Sequence, residues 1–424
     1  MASARNPFRV DTPRLVRPID HQFASALEAD KAIVRLIGPR RVGKTELVSF
    51  YARSKAVPLL AVTLKAIPAD VAHPGEILWN ILDKEFQALA DVPHSAHKKL
   101  HAAVAEMEKK QTRSTSRTIG SEIGAAFAGL TAKLSAARKD EQPAKAAPYA
   151  DPDIEIAYRL RRLELAAVKL KMRPIILFDE IQELVLARPE VPTVWAIRNE
   201  IQHHTACRYV FAGSNQRLFS QLDSGPRAPL LHLGTAIAVP PLTGAEVDEW
   251  AVPVFRRGGR QLDSLRAATS LMAGKIGEVA EVCATLWDMT KPGEMLFDAK
   301  QREALLHTVL TTQTTQPQIR TLSARQTHVL RFVGLNPGIN PLTRMNTEIV
   351  NMNPGTIKRS LDALVAAGLV EAFSQHQYAL ATPLSTLAAL YPIALHEPLR
   401  RATVSIATEA AARQKQDPRF RIQQ

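Results

Sequence analysis

The chain has 424 residues, 46% hydrophobic and 22% charged, with a formal net charge of +13 and an isoelectric point near 9.8. That length suggests about two to three domains. No apolar run approaches the roughly eighteen residues of a membrane-crossing helix, which argues against a membrane partner, and the first residues lack the apolar core of a secretory signal. The two cysteines, Cys207 and Cys283, lie in apolar stretches and read as buried thiols, so a reducing cytoplasm is the expected location. The excess of basic charge makes an anionic partner, nucleic acid first, worth testing against the motifs.

Residues 1–30 form a polar, proline-containing lead-in, with a helix expected over Ile19–Ala29 beside the site that follows. Ala32–Ile37 is an apolar run of strand length, and Glu46–Ala52 reads as the start of a helix. Between them stand Gly38, Pro39, Arg40, Arg41, Val42, Gly43, Lys44 and Thr45, the full pattern of a phosphate loop in its required strand–loop–helix setting. The glycines let backbone amides turn inward around phosphate oxygens. Lys44 is expected to reach the β- and γ-phosphates, and the Thr45 hydroxyl to sit on magnesium. ATP and Mg2+ are therefore the expected ligands. Arg40 and Arg41 stay unassigned among three readings, helping to hold nucleotide, meeting the lid, or, by default, lying at the surface.

A second buried strand is expected at Val57–Leu64, then a helix over Asp70–Leu89 with Ile77, Ile81, Phe86 and Leu89 near one face. From about 94 to 152 the composition shifts to Ala, Lys, Ser and Thr, which reads as a partly helical insertion with a linker at Glu141–Pro148. Its glycine-bearing stretch Ile119–Gly129 has no following Gly-Lys-Ser/Thr. Asp153–Lys171 is expected to be a helix that packs on the sheet through Ile154, Ile156, Leu160, Leu163 and Val168. Pro174–Phe178 is an apolar strand that ends in Asp179 and Glu180. A carboxylate at that position suits magnesium, a role for Asp179, and Glu180 is placed to polarise the attacking water. After a helix from Val191 to His204 comes a third strand, Arg208–Gly213, followed by Ser214 and Asn215 as γ-phosphate sensors or as plain turn residues.

Ala236–Leu242 reads as the last strand and its exit. Helices are expected over Ala245–Phe255, Leu262–Ala273, Ile276–Trp287 and Asp298–Thr311, a lid-like bundle, with a polar linker at Thr311–Gln316. Helices at Leu322–Leu335, Met345–Met352 and Thr356–Ala367, then strands at Leu369–Phe373 and Gln377–Leu380, follow the order of a winged helix. Thr356, Lys358 and Arg359 would then open the recognition helix and meet duplex DNA, although the hairpin carries no arginine or lysine. Arg400, Arg401 and the residues from Arg413 to Arg421 make a basic tail.

Gly38–Thr45, Phe178–Leu184 and Phe211–Ser214 together resemble AAA+-related ATPases of the archaeal-ATPase and STAND type, which include relatives of origin-recognition initiators. The resemblance spans about residues 30–385. It implies an α/β fold with a parallel P-loop sheet, a helical lid and a C-terminal winged helix. The implied division is an ATPase core at 31–243, a lid at 244–312, a winged helix at 318–390 and a basic helical tail at 391–424. The implied activity is ATP hydrolysis, with Glu180 and Lys44 catalytic. Two departures stand out. Pro229–Gly234 occupies the place of a Leu-Tyr-Gly-Arg motif, with Arg227 the nearby arginine, and Ala273–Gly277 replaces Gly-Gly-x-Pro, with Lys275 read as a substitute lid charge or, by default, a solvated lysine. Two readings stay open: a switch acting on or near DNA, or a STAND-type signalling ATPase whose winged helix binds no DNA. A protein partner or self-association is compatible with either, and the large C-terminal half argues against a third reading, a small-molecule kinase.

Overall fold

A computed structural model of the chain describes residues 6–10, 15–64, 73–92, 95–115, 151–187, 191–225, 227–296, 301, 304, 307–308, 319, 321–374, 377–383 and 386–387. The expected linkers at Glu141–Pro148 and Thr311–Gln316, the glycine-bearing stretch Ile119–Gly129, the Asp298 cap and the basic tail lie outside them.

The apolar runs Ile33–Ile37 (β1), Leu59–Thr63 (β2), Ile175–Asp179 (β3), Arg208–Gly213 (β4) and Thr235–Ala238 (β5) pair in parallel in the order β2-β3-β4-β1-β5. Parallel pairing requires long crossovers, and the helices that supply them cover both faces of the sheet. Alternate residues of the strands accordingly enter two cores. Phe23, Val34, Leu36, Val48, Leu177 and Val210 fill one. Leu60, Val62, Leu78, Phe86, Leu160, Phe178 and Phe211 fill the other. Register places Ile37 opposite both Gly213 and Ala238, and Asp179 opposite Ala212, so the carboxyl ends of β1, β3 and β4 lie side by side. In an open parallel sheet this is the end where ligands bind.

The helix Pro74–Ala88 (α4) buries Leu78, Leu82 and Phe86, while Ile77 and Ile81 are only half-buried at the margin of that face. The helix Pro152–Leu170 (α6) buries Ile156, Leu160, Leu163 and Ala167. Val168 stays 54% exposed, because it lies one position off that i, i+3, i+4 stripe, next to the buried Ala167. Part of the expected insertion is integral to the sheet domain: Ser95–Thr115 (α5) is helical, and its Leu100 and Val104 are fully buried in the second core. The buried Glu164 carboxylate accepts the backbone N–H groups of Thr205, Ala206 and Cys207 at 2.7, 2.9 and 2.7 Å, which fixes the entry into β4.

Beyond β5, Gly244–Arg257 (α10) starts at a capping box of Thr243 and Glu246 and packs against Arg266–Leu271 (α11) and Ile276–Asp288 (α12). The segment is not purely helical. Gln261–Leu262 pairs in parallel with Met295–Leu296, and α11 is shorter than the expected helix from Leu262. Helices Ala324–Leu335 (α13), Arg344–Val350 (α14) and Pro354–Ala366 (α15) are followed by the antiparallel hairpin Val370–Ser374 (β8) and Gln377–Leu380 (β9). One apolar cluster runs without a break from Phe8, Trp250 and Phe255 through Cys283 to Val329, Leu361 and Leu380.

Candidate nucleotide site

The loop after β1 is held by contacts that only glycine permits. The Gly38 N–H donates to the Gly213 carbonyl at 3.3 Å, and a Cβ on Gly38 would lie 2.2 Å from the Val239 carbonyl oxygen. Gly43 has φ +95° at the cap of the helix Lys44–Lys55 (α3), whose first amides have no acceptor within the helix. Gly38→Ala is expected to lower the denaturation midpoint, by a cost of about 1–3 kcal/mol for forcing backbone apart. A urea titration of the full chain reads this, and an unchanged midpoint would mean that the loop moves freely. Arg41 and Glu180 also adopt left-handed backbone, at φ 61° and 55°. Strained non-glycine residues of this kind concentrate at functional sites.

Five expected residues meet here, Lys44, Thr45, Asp179, Glu180 and Ser214. Lys44 is buried, and its Nζ donates to the carbonyl oxygens of Gly38 and Pro39 at 2.8 and 2.9 Å. Burial pulls its pKa below the ordinary lysine range, against the pull of the Glu180 and Asp179 carboxylates. The Thr45 hydroxyl donates to Asp179 Oδ2 at 2.5 Å, and Asp179 Oδ1 accepts the Glu180 N–H at 3.0 Å. Burial pushes the Asp179 carboxyl above the usual range, with the Glu180 charge adding to the effect and the Thr45 hydrogen bond opposing it. Glu180 Oε2 accepts the Ser214 hydroxyl and the Gln182 amide, both at 2.5 Å. Asn215 is engaged differently, since its side-chain oxygen caps the helix Gln216–Asp223 through the Leu218 N–H at 3.1 Å. Of the two sensor candidates, it is Ser214 that touches Glu180.

Both loop arginines have partners, Arg40 within the site and Arg41 on α12. Arg40 Nε donates to Ser214 Oγ at 3.3 Å, and its Nη2 lies 3.8 Å from Glu183 Oε1, whose acid burial raises. Arg41 Nη1 pairs with the fully buried Glu278 at 2.6 Å, and the Gly277 N–H donates to the Arg41 carbonyl at 3.3 Å, so the loop is tied to α12. Lys275 is not solvated. It is fully buried, and its Nζ donates to Glu371 Oε2 and to the Ala381 carbonyl, both at 2.7 Å.

Glu278 and Glu371 were invisible to motif reading because their partners lie on other elements, and Gln182 was missed although its partner Glu180 is two residues away. Motif reading also missed a cavity of about 160 Å³ beside Val42 and Gly43, walled by Leu15, Ile19, Leu242, Trp250 and Ile276 with the Arg17 and Asp20 side chains. The sequence signal for it was the helix expected at Ile19–Ala29 beside the site.

Thr356, Lys358 and Arg359 lie on the first turns of α15, away from this site's hydrogen bonds. Lys358 and Arg359 are exposed, and the Thr356 N–H is capped by Asn353 Oδ1 at 2.8 Å. Arg227 is exposed in the loop before β5.

No protein-family profile matches the chain, and no curated protein matches it. Among solved structures, a Walker-type ATPase of Pyrococcus abyssi is similar at 16% identity and a TM-score of 0.55, over 90% of this chain and 99% of that one. The fold is that of a Walker-type ATPase. The ORC2 protein of Aeropyrum pernix, in ADPNP–ADP complexes, aligns over 95% of this chain and 99% of its own at 13% identity and a TM-score of 0.45. Cdc6p from Pyrobaculum aerophilum aligns over 94% and 99% at 11% identity and a TM-score of 0.41. Both overlaps are too loose to carry an argument. Among the described residues no helix is long and apolar enough to cross a membrane.

Proposed function

We propose that the chain binds ATP with magnesium, hydrolyses it slowly, and couples nucleotide state to a C-terminal winged helix that acts on or near DNA. One observation carries the nucleotide reading. Thr45 and Asp179, 134 residues apart in sequence, meet at 2.5 Å at the mouth of a loop that Gly38, packed on the Val239 carbonyl, and the left-handed Gly43 hold in shape. The donor set fits hard ligands. Lys44 and the loop amides would hold phosphates, and Thr45 with Asp179 would hold magnesium, which supplies charge neutralisation between phosphate oxygens. The cavity beside Val42 would take the base, between Ile19 and Ile276. Ser214 and Gln182 orient Glu180 toward the attacking water, and the tight hold on its carboxylate is one reason to expect slow turnover.

The order of α13, α14, α15 and the β8–β9 hairpin supports the winged-helix reading, and the exposed Lys358 and Arg359 with the net charge of +13 support duplex DNA as partner. A second reading has its own support. The hairpin meets the phosphate loop through Glu371, as in a signalling ATPase whose winged helix closes over its own nucleotide.

Two measurements test the pair. Magnesium-dependent phosphate release from ATP is expected at less than about one turnover per second, and failure to bind ATP at all would overturn the nucleotide reading. Duplex binding is expected to weaken steeply with salt, and the triple variant Thr356→Ala, Lys358→Ala, Arg359→Ala to reduce it about tenfold or more. Undetectable duplex binding at low salt, with and without ATP, leaves the signalling reading.

A further inference from the structure

Glu371 sits on β8 of the hairpin and extends its carboxylate to two other parts of the molecule at once. Oε1 accepts the backbone N–H of Arg40, in the phosphate loop, at 3.3 Å. Oε2 accepts the ammonium of Lys275, at the start of α12, at 2.7 Å. Lys275 is fully buried, so its charge needs a close partner, and among the described contacts Glu371 is the one carboxylate bonded to it. The Arg40 amide belongs to the loop that would cradle phosphate, and the Arg40 side chain leads on through Ser214 to Glu180. Glu371 is also close enough to Lys44 to act on its charge. A carboxylate is thus placed with a loop amide and a buried ammonium for partners, the kinds of group that bind a terminal phosphate.

We propose that Glu371 competes with the terminal phosphate of a bound nucleoside triphosphate: it holds the Arg40 amide and Lys275 when that phosphate is absent, and yields them when it is present. The inference rests on the reading of Gly38–Thr45 as a nucleotide site. The single Arg40 N–H serves one acceptor, and two negative groups held on it and Lys275 repel at short range. The carboxylate moves away when a third phosphate arrives, and β8 with β9 moves with it. A diphosphate lacks the competing group and leaves the contact intact. The hairpin is then a reporter of the γ-phosphate. This accounts for its lack of arginine and lysine, since the face it offers the loop must be acidic. A static brace would need only the Lys275 pair; the second bond, to the phosphate loop, is what makes nucleotide the competitor.

The test uses the full chain with spin labels on Arg53→Cys in α3 and Asp362→Cys in α15, both exposed positions, while Cys207 and Cys283 are buried and stay unlabelled. A non-hydrolysable ATP analogue with magnesium is expected to shift the distance between the labels, and ADP with magnesium to leave it unchanged. In parallel, Glu371→Gln is expected to tighten the ATP analogue about tenfold, equal to about 1.4 kcal/mol, without changing ADP affinity. If both nucleotides bind, the distance is the same with each, and Glu371→Gln leaves the affinity ratio unchanged, Glu371 is a brace and the proposal falls while the nucleotide reading stands. If neither nucleotide binds, the nucleotide reading falls and the proposal with it. Should Glu371→Gln fail to fold, the distance measurement, made with Glu371 in place, decides alone.

Discussion

Glu180→Gln is expected to leave ATP affinity within about twofold and to cut turnover by about a hundredfold or more, the range lost with a general base. Glutamine has nearly the same shape, so the left-handed backbone at this position, with φ 55°, is undisturbed. Its amide oxygen can still accept from Ser214 or Gln182, which now donate to the carboxylate at 2.5 Å. What it cannot do is accept a proton from water. Because neither Lys44 nor Thr45 bonds to Glu180 directly, the phosphate cradle should be unaffected. Equilibrium binding of a labelled ATP and single-turnover hydrolysis separate the two effects. Full turnover in the variant would assign Glu180 to holding Ser214 and Arg40 in place, with water activated elsewhere.

How far such a site could be read from sequence depended on how local each contact is. Gly38–Thr45 was legible because its constraint is set within a few residues: positive φ at Gly43, no space at Gly38, a helix opening at Lys44. Asp179 and Glu180 were legible because a wholly buried apolar strand that ends in carboxylates is a strong local contrast. The strand order was not, since β4 between β1 and β3 follows from packing of the whole sheet. Lys275 was misread for a general reason. Lysine is almost always exposed, and its partner Glu371 is 96 residues away on a different element. The face of α6 was misjudged by one position at Val168, and Ile77 and Ile81 reach the core only from the edge of the α4 face, because a helix facing both a sheet and another helix has a wide apolar stripe whose edges periodicity alone does not fix. Asn215 shows the converse case. Its side chain suited two jobs, sensor and helix cap, and the start of a helix one residue later selected the cap.

Asp179→Asn is expected to move stability and activity in opposite directions. Burial holds the Asp179 carboxyl above its ordinary range, so the folded chain binds this proton more tightly than the unfolded chain does. The stability from that difference is fully present below the unfolded value, about 3.9, and is lost as pH rises through the folded value. At neutral pH the ionised group is therefore a net cost to the nucleotide-free protein. Asparagine removes the charge and keeps an oxygen that can accept from Thr45 or from the Glu180 N–H, the two present donors at 2.5 and 3.0 Å. The nucleotide-free variant is expected to melt at a higher temperature than the parent at pH 7, with the gap closing as pH falls toward 4. Turnover with magnesium should fall on the order of a hundredfold, because the cation loses its one charged protein ligand in the proposed site. Thermal melts at two pH values, with and without magnesium and ATP, read both effects. A lower melting temperature at pH 7 would mean that the carboxylate's hydrogen bonds outweigh its burial, and a magnesium-dependent rate equal to the parent's would remove Asp179 from the metal. The cost of this buried charge is what bound magnesium would relieve, so the same carboxylate that weakens the free protein would make its stability respond to ligand.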